Sequence, residues 1–341
     1  MTEHVIFILP KKYYGGMETS NQKLMDYFAK WFSVKVSAYI HKGGVNEEAY
    51  RCDESKFVSI MSLYLSVCAL FKDRNKLLFI INGVFPLICM MLVPFKVKAV
   101  YQLHCTLTSN GELKYLKRIF LKGLIALSSW RFDIYCVSES LALEVQGYKC
   151  SRKANIKFSP NVVDACEIKS LSKSYRALFV GRISQQKNPF LALKILNQLI
   201  LSGQIREALM VGKGNLVDNV KLKASEQIQF PGWLSNPYSH GGVVLFTSNY
   251  EGYGLVVIEA LLNGCLVLAR DAPYGPRDIL NKIDTDMLIP YEAPHDYYIE
   301  QLRILNEKYS SAVECKKLKV SISRYIEYLN KVRYKSWAEF F

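Results

Sequence analysis

The stretch that decides the fold is Thr247-Ser-Asn-Tyr-Glu-Gly-Tyr-Gly-Leu-Val-Val-Ile-Glu-Ala-Leu-Leu-Asn-Gly264. An apolar run predicts a strand that ends at Thr247, a turn with two glycines follows, and a helix starts near Gly254. The pair Asn263-Gly264 is typical of a helix C-terminus. The first N–H groups of this helix lack partners inside it, and its dipole places about half a positive charge there. The segment is therefore suited to holding a diphosphate.

Two glutamates flank this helix start, with seven residues between them. Glu251 stands just before the helix and Glu259 lies within it. Carboxylates accept hydrogen bonds from hydroxyl groups, so two acids beside a diphosphate site indicate a nucleotide sugar, which offers a ribose diol and a sugar ring. The alternative, solvated glutamates on a helix surface, does not account for the glycine turn between strand and helix.

Strand-like and helix-like runs alternate along almost the whole chain, which predicts parallel sheets covered by helices on both faces. The fold class is therefore α/β, with two doubly wound, Rossmann-like domains that face each other across a cleft. Their predicted bounds are 1–168 for an acceptor-binding domain, 169–174 for a linker and 175–325 for a nucleotide-sugar domain. We expect the C-terminal segment 326–341 to pack back toward the first domain.

The predicted strands coincide with apolar runs, and the clearest helices lie between them. The predicted strands are His4–Leu9, Val34–Ile40, Leu77–Ile81, Val97–Leu103, Ile134–Val137, Ala177–Val180, Ala208–Val211, Ile228–Phe230, Val243–Thr247 and Leu266–Ala269. The predicted helices of the first half are Met17–Trp31, Phe57–Phe71, Val84–Val93, Leu113–Leu127 and Glu139–Gln146.

Composition and charge limit the class of protein. Half of the 341 residues are hydrophobic, which excludes a disordered or fibrous chain, and the formal net charge of +14 predicts an anionic partner. The nine cysteines are scattered without metal-binding spacing, which is typical of a reducing compartment. The N-terminus lacks the features of a signal peptide. We therefore expect a cytoplasmic protein. Peripheral association with the inner face of the cytoplasmic membrane is the alternative.

The apolar stretch 77–95 has the length of a membrane span, but Asn82, Gly83, Pro86 and Pro94 interrupt it. A buried strand followed by a buried helix, Val84–Val93, explains it better.

A basic turn follows the first strand of the second half. Gly181 ends that strand, and Arg182 and Lys187 precede a helix that Asn188 and Pro189 are expected to start. Arg can bind two phosphate oxygens and Lys supplies a point charge, so the turn is suited to a diphosphate leaving group. Alone, the turn could equally be a basic surface loop.

Two weaker signals lie in the first half. Gly15 and Gly16 open the first helix, where they either meet phosphate or form a plain tight turn. His104 follows a predicted strand at its carboxyl end, where this architecture binds ligands, and is either a structural residue or a site residue.

A basic amphipathic helix is predicted at 113–127. It either lies on an anionic membrane or covers the sheet with its apolar side, and the excess of positive charge favours the membrane.

Several other functions are disfavoured. The first strand is not followed by the Gly-x-Gly-x-x-Gly fingerprint of a nicotinamide-dependent oxidoreductase. Aromatic residues lie largely in apolar runs rather than among basic ones, which disfavours a nucleic-acid-binding protein. Asp284-Thr285-Asp286 resembles a metal-binding pair but is expected to be a solvated turn, and the five histidines are dispersed. We therefore predict no metal and no cofactor.

The chain resembles the family-4 retaining glycosyltransferases of the GT-B fold, which include lipopolysaccharide, O-antigen and capsule hexosyltransferases. The resemblance is strongest between Ala177 and Leu280. It rests on these motifs: Gly181-Arg182 with Lys187, Val211-Gly-Lys-Gly214, Phe230-Pro-Gly-Trp233, Glu251-Gly-Tyr-Gly254 with Glu259-Ala260, and Gly275-Pro276-Arg277. Gly15-Gly16-x-Glu18, His104 and Val137-Ser138-Glu139 match more loosely, and Cys105 departs from the usual pattern after the histidine.

The resemblance implies a role for each matching position. Glu251 would contact hydroxyls of the donor sugar and Glu259 those of the ribose. Arg182, Lys187 and the backbone of the segment Gly252, Tyr253, Gly254 and Leu255 would hold the diphosphate, with Gly181 beside them. Gly232 and Trp233 would border the base. Gly15 and Gly16 would lie near the phosphate and acceptor, and His104 near the reacting sugar.

The resemblance implies a retaining transferase that needs no metal. It would move a hexose or N-acetylhexosamine from a nucleotide-diphosphate sugar to a saccharide or lipid-linked saccharide of the cell surface, and the residues around Tyr274 favour UDP. A GDP-mannose-dependent mannosyltransferase of the same fold is the alternative, and a basic nucleotide-binding or nucleic-acid-binding protein is the alternative from another class.

Overall fold

The computed structural model describes residues 2–10, 16–41, 52–104, 115–149, 155–163, 167–171 and 175–341. The chain divides into two compact units. Of the described residues, the first unit contains those up to Val162 together with Leu329–Phe341, and the second contains those from Val163 to Tyr328. At the start of the predicted linker, Lys169 and Ser170 bond within the second unit: Lys169 Nζ lies 2.9 Å from Asn263 Oδ1, and Ser170 Oγ accepts a hydrogen bond from Lys319 at 3.0 Å.

The first unit is built on a seven-stranded parallel sheet in the order β3-β2-β1-β4-β5-β6-β7. The strands are β1 (His4–Leu9), β2 (Lys35–His41), β3 (Glu54–Val58), β4 (Leu77–Asn82), β5 (Lys98–Leu103), β6 (Asp133–Cys136) and β7 (Ile156–Phe158). All six residues of β4 are buried, as a strand covered on both faces requires. The predicted doubly wound sheet is confirmed.

Helices cover both faces of this sheet. They are α1 (Gly16–Phe32), α2 (Ile60–Ala69), α3 (Val84–Leu92), α4 (Tyr115–Ser128) and α5 (Glu139–Gln146). The chain crosses the sheet in one direction from β1 to β2 and in the other from β3 to β4 and on to β7. Because parallel crossovers are right-handed, α1 covers one face and α2 to α5 cover the other.

The core on the α1 face is closed by aromatic rings from the end of the chain. Trp337 is fully buried, with its ring 5.0 Å from that of Phe28 and 4.7 Å from that of Tyr135. The Tyr135 hydroxyl donates to the carbonyl of Ser336 at 2.7 Å. The last residues of the chain are therefore an integral part of the first unit.

The second unit contains a six-stranded parallel sheet in the order β10-β9-β8-β11-β12-β13. Its strands are β8 (Arg176–Val180), β9 (Glu207–Val211), β10 (Ile228–Gly232), β11 (Val243–Phe246), β12 (Leu266–Arg270) and β13 (Leu288–Ile289). Its helices are α6 (Pro189–Leu201), α7 (Val217–Lys221), α8 (Leu255–Leu262), α9 (Pro276–Ile283), α10 (His295–Lys308) and most of α11 (Ala312–Ala338). The second doubly wound domain is thus also confirmed.

The prediction that Val84–Val93 forms a buried helix is only half right. The helix is present, and Leu87 and Met90 are buried against the sheet, but Phe85 and Leu92 are 66% and 67% exposed. The helix is apolar on all sides. Its sequence therefore could not show whether the side facing away from the sheet is buried or exposed to solvent. No helix in the described parts of the chain has the length and apolarity to cross a bilayer.

Candidate functional site

The carboxyl edge of the second sheet brings three glycines together after neighbouring strands. Gly181 follows β8, Gly212 follows β9 and Gly232 ends β10. The Gly212 N–H donates to the Gly232 carbonyl at 2.7 Å, and a Cβ on Gly212 would lie 1.9 Å from the Gly181 carbonyl oxygen. Only glycine allows this close approach of the three backbones. They meet at the edge where doubly wound sheets bind ligands.

An ion pair between Lys187 and Glu251 lies at the same edge. Lys187 Nζ is 2.5 Å from Glu251 Oε1, and the Ser248 hydroxyl donates to the same oxygen at 2.8 Å. Glu251 is only 8% exposed. Because both donors reach Oε1, the carboxylate is held in one orientation. The sequence motifs identified Lys187 and Glu251 as separate candidates, and the structure places them in contact.

Hydrogen bonds join the loops that carry the two charges. The Asn249 N–H donates to the Gln186 carbonyl at 2.8 Å, and the Thr247 hydroxyl donates to the carbonyls of Lys187 and Asn188 at 3.0 and 3.1 Å. The Asn188 side chain caps α6 by accepting from the N–H of Leu191, as predicted. The position of Lys187 relative to Glu251 is therefore set by the backbone as well as by the ion pair.

The side chain of Lys187 passes over Gly181. A Cβ on Gly181 would lie 3.5 Å from Lys187 Cε, and its φ of +147° is a conformation that favours glycine. The side chain of Arg182, next along the turn, is exposed. The basic turn thus presents one partly buried cation and one at the surface.

The predicted helix after the glycine turn is α8, and Gly254 is its N-cap. Gly254 has φ +88° and, as a glycine, places no capping side chain over the first N–H groups of the helix. Gly252 and Tyr253 are buried, and Leu255 is half-buried. This end of the helix can accept an anion.

The turn before α8 is fixed by the segment that follows β12. The Glu251 N–H donates to the Pro273 carbonyl at 2.6 Å, and the Tyr274 N–H donates to the Glu251 carbonyl at 2.9 Å. A Cβ on Gly275 would lie 2.0 Å from the Tyr253 carbonyl oxygen. The motif Gly275-Pro276-Arg277 therefore packs directly against the backbone of the glycine turn.

Glu259 is held by a tyrosine that the sequence did not indicate. The Tyr238 hydroxyl donates to Glu259 Oε2 at 3.0 Å. Burial, together with the neighbouring Glu259 carboxylate, raises the pKa of Tyr238 well above its usual value, so the hydroxyl stays a donor. Only the three-dimensional fold joins the two, since Tyr238 lies 21 residues before Glu259. Ser248, three residues before Glu251, could have been found from the sequence spacing.

The residues predicted near the base lie at the end of β10. Gly232 has φ +77° and open space where a Cβ would stand. The Trp233 side chain is 71% exposed. An exposed indole beside an open glycine offers a flat apolar surface on which a ring can stack.

The predicted site residues of the first unit also lie at a carboxyl edge. His104 directly follows β5. Its Nε2 is buried without a hydrogen-bond partner among the described residues, and burial lowers the pKa of the ring to about 4. His104 is therefore neutral at pH 7. Gly16 is the first residue of α1, whereas Gly15 and Cys105 lie outside the described residues.

A polar pair next to His104 was not recognised in the sequence. Asn82 ends β4 and is paired in register with Gln102 of β5. Both side chains are buried, and neither Asn82 polar atom nor Gln102 Oε1 has a partner in the described part of the chain. The sequence did contain a signal for this pair, because each is a polar residue at or near the end of an otherwise strongly apolar strand.

The expectation that Asp284-Thr285-Asp286 is a solvated turn holds only in part: Thr285 and Asp286 are exposed, whereas the Asp284 side chain is largely buried and paired. Lys308 Nζ lies 3.0 and 2.9 Å from the two carboxylate oxygens of Asp284 and 2.7 Å from Asp286 Oδ2. The Tyr309 hydroxyl also donates to Asp284. The two acids are neutralised by a cation from α10, an element the sequence pattern had not linked to them. Among the described residues, no group of three or more His, Cys, Asp or Glu side chains is placed to hold a metal ion.

The two doubly wound parallel units, with a glycine-lined carboxyl edge in the second, define the GT-B glycosyltransferase fold. A solved structure of S. aureus TarM, a mutant in complex with fondaparinux, alpha-GlcNAc-glycerol and UDP, superposes with a TM-score of 0.79 at 13% identity, covering 98% of this chain and 99% of that one. At this identity the likeness concerns the fold alone. Residues 167–318, somewhat less than half of the chain, match the family model described as glycosyl transferases group 1.

Two curated relatives are similar to part of the chain. A poly(glycerol-phosphate) alpha-glucosyltransferase of Bacillus subtilis is 26% identical over 168 residues, covering 46% of this chain and 23% of its own length. The O-antigen biosynthesis glycosyltransferase WbnH of Escherichia coli is 30% identical over 185 residues, covering 52% of each chain. The chain thus spans about half or less of the length of these relatives.

Proposed function

We propose that the protein is a retaining, family-4 glycosyltransferase that moves a hexose or N-acetylhexosamine from a UDP-sugar to a saccharide or lipid-linked saccharide of the cell surface. The observation that carries this proposal is the largely buried Lys187–Glu251 pair, whose glutamate precedes a helix, α8, with glycine at its N-cap. The relatives named for teichoic-acid-type and O-antigen polymers support the substrate class.

The diphosphate of the donor is assigned to the cationic side of this site. Lys187, Arg182 and the first N–H groups of α8 supply positive potential, and that potential is fixed before the substrate arrives. When the bond between the sugar C1 and the phosphate oxygen breaks, negative charge grows on the diphosphate. Preorganised donors stabilise this charge more than they stabilise the ground state, which lowers the barrier.

The hydroxyl groups of the donor are assigned to the two glutamates. Lys187 and Ser248 both bond Oε1 of Glu251, which leaves Oε2 to accept a hydrogen bond from the sugar ring. Tyr238 orients the Glu259 carboxylate, which would accept from the ribose diol. Trp233 and Gly232 would border the base.

His104 would act in the first unit, close to the reacting sugar. Its ring is neutral at pH 7 because burial lowers its pKa, so it can donate or accept a hydrogen bond but carries no charge. Gly15 and Gly16 would lie near the phosphate and the acceptor. The acceptor hydroxyl attacks C1 on the face from which the diphosphate leaves and passes its proton to the departing phosphate oxygen. The new bond forms on the same face as the broken one, so the anomeric configuration is preserved.

A screen of nucleotide sugars tests the proposal. The purified chain is incubated with UDP-sugars and GDP-mannose, with and without extracts of lipid-linked saccharides, and products are analysed by mass spectrometry. We expect release of UDP and a gain of one hexose or N-acetylhexosamine mass on the acceptor. Turnover of GDP-mannose alone would show the mannosyltransferase instead. Thermal stabilisation by an oligonucleotide, with no nucleotide sugar consumed, would contradict the proposal.

A further inference from the structure

The outer faces of α2 and α3 are apolar although they face solvent. Neither helix contains a charged residue. Leu65 of α2 is 59% exposed, and Phe85 and Leu92 of α3 stand seven residues apart on one stripe. A helix that is apolar all round is normally buried on every side, so an exposed side indicates a surface that something else covers.

The apolar surface continues onto the neighbouring helix of the same sheet face. Leu127 near the end of α4 and Trp130 just after it are largely exposed. Arg131 ties this end of α4 to the end of α3, since its guanidinium donates to the carbonyls of Val93 and Phe95. We define the apolar face by Leu65, Phe71, Phe85, Leu92, Leu127 and Trp130.

Basic residues stand at the rim where α2 and α3 end. The rings of Phe71 and Phe95 lie 4.7 Å apart and join the two helix ends, and the Arg74 guanidinium lies 4.0 Å above the Phe71 ring. Lys72 and Lys96 are the exposed neighbours of these two rings. From residue 60 to 131 the sequence has ten lysines and arginines against two acidic residues, a large share of the excess charge of the whole chain.

We propose that this apolar face, with its basic rim, binds the surface of an anionic lipid bilayer. Aromatic and aliphatic side chains would enter the boundary between headgroups and acyl chains while lysines contact lipid phosphates. The sequence alone pointed only to 113–127, whereas the structure adds α2 and α3. A second copy is disfavoured as the occupant, because a symmetric contact would place the same basic rims against each other.

The test is flotation of the full chain with vesicles. One set contains phosphatidylcholine alone and the other an equimolar mixture of phosphatidylcholine and phosphatidylglycerol. The first variant, Leu92→Ser with Trp130→Ser, removes exposed apolar groups. Its control is Leu201→Ser with Leu222→Ser, two leucines of the second unit that are somewhat more exposed. The second variant, Lys72→Gln with Lys96→Gln, is matched by Lys194→Gln with Lys316→Gln, which change the net charge equally.

We expect the wild type and both controls to float with the anionic vesicles and not with phosphatidylcholine alone. The lysine variant should bind about 25-fold more weakly, from roughly fivefold per basic residue. The apolar variant should lose about tenfold or more. The proposal is overturned if the wild type does not float with anionic vesicles, or if the controls lose binding equally. It is also overturned if light scattering shows a dimer that the apolar variant dissociates, because a second copy would then cover the face.

Discussion

The ammonium group of Lys187 lies 2.5 Å from Glu251 Oε1, although 64 residues separate them in the chain. Ser248 donates to the same oxygen at 2.8 Å, and backbone hydrogen bonds between the two loops hold both partners in place. A charge pair so largely removed from water is costly to assemble for stability alone. Its place at the carboxyl edge of the second sheet, where doubly wound sheets bind ligands, is consistent with the proposed role in donor binding.

Replacing Glu251 by Gln should reduce kcat strongly while the fold is kept. The amide is isosteric but accepts less strongly from a sugar hydroxyl, and it leaves Lys187 without its counter-charge. We expect a loss of about 100-fold or more in kcat/KM, measured as release of UDP from the donor in the presence of acceptor. Glu226→Gln, at an exposed position of the second unit, is the control. Full activity of Glu251→Gln would remove this residue from the site.

Ser248→Ala tests whether Ser248 positions the carboxylate. The loss of one hydrogen bond should lower kcat about threefold to tenfold, with KM for the donor changed less. The matched control is Ser225→Ala, whose hydroxyl is buried without a partner among the described residues. Equal losses of thermal stability and activity in both variants would reduce Ser248 to a packing role.

Gly275→Ala should destabilise the second unit severely. The new Cβ would lie 2.0 Å from the Tyr253 carbonyl oxygen, and φ is +55°. We expect a fall of about 3 kcal/mol or more in the free energy of unfolding measured with urea. Gly203→Ala, with φ +72° and open space around the Cβ, isolates the backbone cost and should lose about 1 kcal/mol. Equal losses would mean that the close approach is not required.

The pH dependence of stability reports on His104. Burial lowers the pKa of its ring from 6.5 to about 4, so the unfolded chain takes up a proton at a higher pH than the folded chain. Stability is therefore full above pH 6.5 and falls as the pH drops toward 4. Between pH 7 and pH 5 the wild type should lose about 2 kcal/mol more than His104→Gln in urea unfolding. Equal losses of unfolding free energy in the wild type and His104→Gln would show that the His104 ring is solvated in the folded chain.

Transfer should proceed in the presence of EDTA. The positive potential at the diphosphate is assigned to Lys187, Arg182 and the start of α8, and Asp284 and Asp286 are paired with Lys308. We expect the rate to change less than about twofold when EDTA is added. A strict requirement for a divalent ion would return the two aspartates to consideration as ligands and contradict the assignment.

Much of the fold could be predicted because its strands are continuous apolar runs. The predicted bounds of β1 agree with the structure, and α8 begins and ends where its glycines indicated. The strands β3, β7 and β13 were missed because they are short or polar, and each is recognisable only by its pairing with the strand before it. The acidic and basic site residues were found by motif, but their contact across 64 residues, and the bond from Tyr238 to Glu259, exist only in the folded chain.

Calorimetric titration with UDP tests the central claim most directly. That claim is that Lys187 binds the diphosphate of the donor. The wild type is compared with Lys187→Ala and with Lys194→Ala, an exposed lysine on α6. We predict that Lys187→Ala binds UDP about tenfold to 100-fold more weakly, as expected for the loss of a charged hydrogen bond to phosphate, and that Lys194→Ala binds as the wild type does. Equal affinity of all three proteins for UDP would contradict the claim.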